Sequence, residues 1–146
     1  MIVESGAQPI LTENRIRDND REGIVVQAAS PVITRNVIAQ NRGVGIDLKG
    51  SSARISENSL TDNRPFDMTA EMTGEAVNAS GNWWGTAQGL EVLKRIRGRV
   101  DVATVLSAAH PDGKPVALPI LAQTLGGAVT ADGLLTLSNS PYRVQK

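Results

Sequence analysis

A 22-residue repeat runs without a gap through the first half of this chain, and no other feature narrows its folding options as far. Residues 9–30 (PILTENRIRDNDREGIVVQAAS), 31–52 (PVITRNVIAQNRGVGIDLKGSS) and 53–74 (ARISENSLTDNRPFDMTAEMTG) align in register. Asn14, Asn36 and Asn58 share one position of the unit, and Asn19, Asn41 and Asn63 share a second. Four apolar files run through the units: Leu11, Ile33, Ile55; Ile16, Ile38, Leu60; Ile24, Ile46, Met68; and Val26, Leu48, Ala70. A fourth unit follows after a slip of two residues, with Ala79, Asn82 and Trp84 in place of Ile55, Asn58 and Leu60.

Apolar residues two apart, such as Ile46 and Leu48, suit a short strand that turns one face inward. Three such strands joined by tight bends use about 22 residues, so each unit predicts one turn of a coil, and successive coils pair at about 4.8 Å. Asparagine at fixed bends fits because it tolerates left-handed backbone and its amide bonds to nearby main chain. Stacked at coil spacing, these amides can form a ladder, with Asn82 and Trp84 continuing the stack. Gly23 and Gly45 are expected to mark another bend. An α-helical repeat is the competing reading, but the alternating β-branched residues and fixed asparagines disfavour it. Outward columns agree with the coil: Glu13, Arg35 and Glu57, and Gln27, Lys49 and Glu71, set opposite charges beside each other where like charges would repel.

With Asn82-Trp83-Trp84-Gly85 added, the chain resembles the right-handed parallel β-helix repeat proteins of pectate-lyase-like architecture. Among them it is similar to bacterial secreted or surface proteins whose coils close on an Asn-Trp-Trp-Gly segment. The resemblance covers residues 1–106 and implies an all-β, three-sided solenoid of about four coils. It also implies a short helix over 90–96 and a β segment over 99–106. The coil is shared by lyases, hydrolases, epimerases and adhesins, so the resemblance specifies fold far more than function.

Three regions are expected: coils with a terminal helix and strand over 1–106, a turn or linker over 107–115, and a C-terminal β extension over 116–146. His110 to Gly113 reads as a plain turn. The extension is expected to cover an open edge, in the chain or across a homodimer. Ile2 aligns with Ile24, so Met1 enters in mid-coil, and an excised piece of a longer protein is expected.

Composition excludes several functions. Lys+Arg and Asp+Glu balance at 15 each, and aromatics make up 3%, so neither an electrostatic footprint nor a stacking platform for nucleic acid is expected. The absence of cysteine removes thiol chemistry and Cys-ligated metal, and one histidine cannot build a metal site alone. No stretch reaches the roughly 20 apolar residues of a membrane span, so no membrane insertion is expected. The opening residues lack signal-peptide regions. A secreted, periplasmic or cell-surface location is nevertheless expected, with any signal outside this segment.

The acidic set Asp18, Asp20, Glu22 and Asp62 is the one place where catalytic chemistry could assemble. Asp18 and Asp62 share a column two coils apart, roughly 9–10 Å by strand spacing, a separation compatible with inverting carboxylates. Gln40 occupies the intervening coil, and solvated bend acids are the plainer reading. No cofactor or metal is expected, with calcium the one cation such a set would take. Trp84 should point inward and plug the solenoid's end, whereas Trp83 points outward, either under the 90–96 helix or as a flat face for a sugar. The expectation is a non-catalytic structural or carbohydrate-binding module of a larger protein, with extended carbohydrate as partner. The alternatives are a fragment of a polysaccharide lyase or hydrolase, and a spacer or self-association module.

Overall fold

The computed structural model describes residues 1–71 and 74–118. β1 (Ile2–Glu4) opens the chain, and three coils of three strands follow. They are β2 (Ile10–Thr12), β3 (Arg15–Arg17), β4 (Ile24–Gln27); β5 (Val32–Thr34), β6 (Val37–Ala39), β7 (Ile46–Lys49); and β8 (Arg54–Ser56), β9 (Ser59–Thr61), β10 (Met68–Glu71). After them come β11 (Val77–Asn78), α1 (Gly89–Leu93), β12 (Ile96–Gly98), β13 (Val100–Asp101), β14 (Thr104–Leu106) and β15 (Pro115–Ala117).

The strands of the coils stack into three parallel sheets, in the orders β1-β4-β7-β10-β12, β2-β5-β8 and β3-β6-β9, and β11 pairs parallel with β13 in a short fourth. Pairing follows the repeat through the three coils: Ile46 with Ile24 and Met68, Ile33 with Leu11 and Ile55, Ile38 with Ile16 and Leu60; at β1 the expected alignment of Ile2 with Ile24 shifts by one, so that Ile2 faces Val25 and Val3 turns inward instead. The four apolar files therefore become one continuous interior, in which Ile24, Ile33, Ile38, Ile46, Leu48, Leu60 and Met68 are fully buried. This is the expected all-β solenoid. The slip of two residues is also real: Ser59 bridges Trp83, which sets Trp84 over Leu60.

Four expectations need correction or refinement. At the two asparagine bends the left-handed residues are Glu13, Arg35 and Glu57 at one and Asp18, Gln40 and Asp62 at the other, with φ between 57° and 60°. Each stands immediately before a ladder asparagine. The asparagine is therefore chosen for its buried amide, while its exposed neighbour makes the turn at a cost of roughly 1–2 kcal/mol. Second, Gly23 and Gly45 do stand at a bend, each just before a strand of the long sheet, but what calls for glycine there is room and not left-handed backbone. A Cβ on Gly45 would sit 2.5 Å from the Asp67 carbonyl oxygen and 2.7 Å from Asn63 Nδ2. Gly45→Ala should accordingly destabilise the fold by about 2 kcal/mol through overpacking. A urea midpoint unchanged from the parent would refute that close approach.

Third, the helix is shorter than expected, ending at Leu93, because Ile96 is taken into the long sheet beside Met68. Met68 and Ile96 lie 28 positions apart instead of 22, and α1 takes up the extra length. Fourth, Trp84 is fully buried and inward but does not end the solenoid, since Asn82 beside it bridges Val105 on a further rung. β14 then pairs antiparallel with β15, and Leu118 joins the same core. The rest of the expected extension, from 119 to 146 and including Tyr142, lies outside the described residues.

Candidate functional site

The broadest surface is the outward face of the long sheet. Alternation along each strand sends Ile2, Val25, Asp47, Thr69 and Arg97 outward as one file, with Glu4, Gln27, Lys49 and Glu71 as the next. Thr69 Oγ1 donates to Asp47 Oδ1 at 2.8 Å, and Lys49 Nζ lies 3.7 Å from Asp47 Oδ2. Asp47 is thus held on both oxygens, with its side chain 15% exposed. Arg97 Nε stands 4.0 Å from Glu71 Oε2 higher on the same face. Between the files lies an open groove of about 560 Å³, lined by Ile2, Arg21, Glu22, Val25, Gln27, Asp47 and Lys49 among others.

Chemically this is a rigid array of donors and acceptors repeated at about 4.8 Å. It can hydrogen-bond an extended polymer along the solenoid axis.

Of the acids singled out from sequence, Asp18, Asp20 and Asp62 lie elsewhere, on the bend between the third sheet and the long sheet, and are exposed, whereas Glu22 is half-buried and lines the groove. Arg17 Nε donates to Asp18 at 2.9 Å, and Arg42 stands 3.2 Å from Asp20. Arg17 also donates to Gln40 on the middle coil. Asp18 and Asp62 therefore stand two rungs apart with a neutral amide and a cation around them. Among the described residues no group of three or more His, Cys, Asp or Glu could hold a metal ion. Trp83 continues the outward file of Arg15, Val37 and Ser59 on the third sheet and is half-buried, so it is not part of the groove.

The asparagines form two ladders. In the first, Asn14, Asn36 and Asn58 each donate from Nδ2 to the next Oδ1 at 3.0 Å, ending on Asn82. In the second, Asn19 and Asn41 donate to Asn41 and Asn63 at 2.8 Å. That ladder ends on a group sequence reasoning missed: Asn63 donates from both its backbone N–H and Nδ2 to Asp67 Oδ1, at 3.0 and 2.9 Å. Asp67 is fully buried, and Arg95 reaches its other oxygen at 3.3 Å. Burial pushes the carboxyl up to about 6, while the Asn63 hydrogen bonds and the Arg95 guanidinium pull it back down. One sequence signal did exist. Position 67 continues the file of Gly23 and Gly45, and the fourth unit, after its slip of two residues, has Ala87 where the next amide would stand. A third, shorter stack was also missed, in which Ala29 N–H donates to the buried Ser51 Oγ at 3.3 Å.

A family model described as a right-handed β-helix region matches residues 1–86, more than half of the 146. Neither a curated protein nor a solved structure matches the chain.

Proposed function

Since this chain belongs to the right-handed β-helix family, we propose that it is a non-catalytic module whose long-sheet face binds an extended carbohydrate in a secreted or cell-surface setting. The fold itself supports a structural or binding module. The observation that carries the finer reading is the groove along Gln27, Asp47 and Lys49, where polar side chains recur rung by rung on an inflexible sheet. A chain of sugars offers hydroxyls in a repeating row, and a row of fixed donors and acceptors matches it without the ordering cost of a loop. Balanced charge across Arg21, Glu22, Asp47 and Lys49 favours a neutral glycan over a strongly acidic one.

The test is titration of soluble neutral and acidic polysaccharides, followed by calorimetry and by product analysis. Binding should weaken about tenfold in a Gln27→Ala, Lys49→Ala double variant, a loss of roughly 1.4 kcal/mol, and Asp18→Asn should change nothing. Release of shortened glycan that Asp18→Asn or Asp62→Asn abolishes would establish the lyase or hydrolase reading instead. Absence of binding to every glycan would leave a spacer.

A further inference from the structure

On one face of the solenoid the third and fourth coils come apart. The long sheet runs on from β10 to β12, and the third sheet continues where Ser59 bridges Trp83 and Leu60 N–H donates to the Trp83 carbonyl at 2.8 Å. The second sheet instead ends at β8, and β11 pairs with β13 alone. The slip of two residues sets Asn78 and Ser80 over Arg54 and Ser56, but Ser80 N–H turns to Asn78 Oδ1 at 2.9 Å. A notch of about 100 Å³ opens between the strands, lined by Arg54, Ile55, Ser56, Asn78 and Ser80. Just beyond it Glu57 N–H donates to the Gly81 carbonyl at 2.7 Å and brings the coils together again.

The notch is furnished with donors. Ile55 turns its side chain into the core, so the other four side chains supply the polar groups. Asn78 Oδ1 is already an acceptor, which leaves Nδ2 to donate. Ser80 Oγ accepts from Ala103 N–H at 2.9 Å, which leaves its own proton to give. Ser56 Oγ and the exposed Arg54 guanidinium have no partner among the described residues. Arg54 thereby differs from Arg17, Arg35, Arg42, Arg95 and Arg97, each of which stands beside a carboxylate. No acid lines the notch: Glu75 borders the adjoining cavity, and Asp101, opposite Asn78 on the next rung, lies beyond it.

We propose that this notch binds one small oxyanion, a carboxylate or a sulfate. The planar fork of arginine meets two oxygens of such a group, and the hydroxyl and amide donors complete its shell. Size agrees: at about 30 Å³ for each water, the notch takes about three waters or one such group. A cation would find no negative group there. The notch lies on a different face from the long-sheet groove, so the proposal stands or falls apart from glycan binding.

Nuclear magnetic resonance titration of the full chain with sodium sulfate or sodium acetate, at an ionic strength held constant with chloride, provides the test. Amide signals of residues 54–56 and 78–80 should shift saturably, and those of residues 25–27 and 47–49 should stay in place. Arg54→Gln should weaken binding about tenfold and Ser56→Ala by a smaller factor, with Arg54→Lys between them because it keeps the charge without the fork. The rest of the Arg54→Gln spectrum should match the parent, since this side chain is exposed and holds no described partner. Sodium glucuronate separates the sources of the group: binding tighter than acetate assigns it to a sugar acid, and equal binding assigns it to the free ion. Three results would overturn the proposal. They are equal binding by Arg54→Gln, shifts of the same size at Arg35 and Arg42, and no saturation up to about 0.1 M, where exposed charges are screened beyond about 10 Å.

Discussion

Replacing Asn58 with leucine should lower the unfolding free energy by about 3–5 kcal/mol, the largest effect expected of any single change in this chain. Asn58 is fully buried and serves both directions of its ladder. Its Oδ1 accepts from Asn36 N–H and Nδ2, and its own Nδ2 donates to the Ile33 carbonyl and to Asn82 Oδ1. Its backbone N–H donates to Asn82 Oδ1 as well. Leucine has comparable bulk but leaves several buried polar groups without partners, each at about 1–3 kcal/mol before relaxation. Asn14→Leu is the control, because Asn14 is half-buried on the first rung and should lose about 1 kcal/mol or less. Denaturant titration followed by circular dichroism checks both. Comparable losses at the two positions would mean that the ladder's worth does not come from burial.

The second large effect concerns pH. The Asp67 carboxyl sits near 6 in the fold, above its ordinary 3.8, because burial outweighs the Asn63 hydrogen bonds and a single 3.3 Å contact from Arg95. A raised acid favours the fold most where it stays protonated. Its contribution is complete below about pH 4, declines as pH rises, and is gone once pH passes 6. Two pKa steps correspond to roughly 3 kcal/mol. Asp67→Asn keeps an oxygen for the Asn63 donors and removes the ionisation, while Arg95, 35% exposed, can turn to water. The variant should therefore melt higher than the parent at pH 8 and match it near pH 4. A parent that is the more stable protein at pH 8 would show that the Arg95 pair outweighs desolvation.

These two cases mark what could be read from the residues alone. Asn58 stands in a file of identical residues, so its role follows from the period: anything repeated every 22 positions must occupy equivalent places on a coil. The apolar files, the outward charge columns and the place of Trp84 over Leu60 were legible for the same reason. Asp67 breaks the pattern, and a break carries no rule about what fills it. Its neighbours on the file are glycines, and its partner Arg95 comes from a segment with no counterpart in the repeat.

The surface of the long sheet was legible in composition but not in arrangement. Alternation sends Asp47 and Lys49 outward, yet only the register with Thr69 shows that the carboxylate is held rather than free. The acids at 18 and 62 shared a column in the sequence too, with Asp20 close by in the chain. Whether shared columns make a cleft depends on which cations fold over them, and Arg17 and Arg42 do so here.

The sequence by itself therefore determined the coil, its three faces, the register of its stack and the residues that fill its interior. Those are consequences of a period, and stacking equivalent residues is the only way to bury four apolar files and two amide files together. Tertiary structure alone decided how the stack ends. The shortened helix, the capture of Ile96 by the long sheet, the carboxyl that terminates the second ladder and the antiparallel return of β15 all lie where the repeat stops. There each contact is made once, between segments far apart in the chain, and no neighbouring copy of the motif records it.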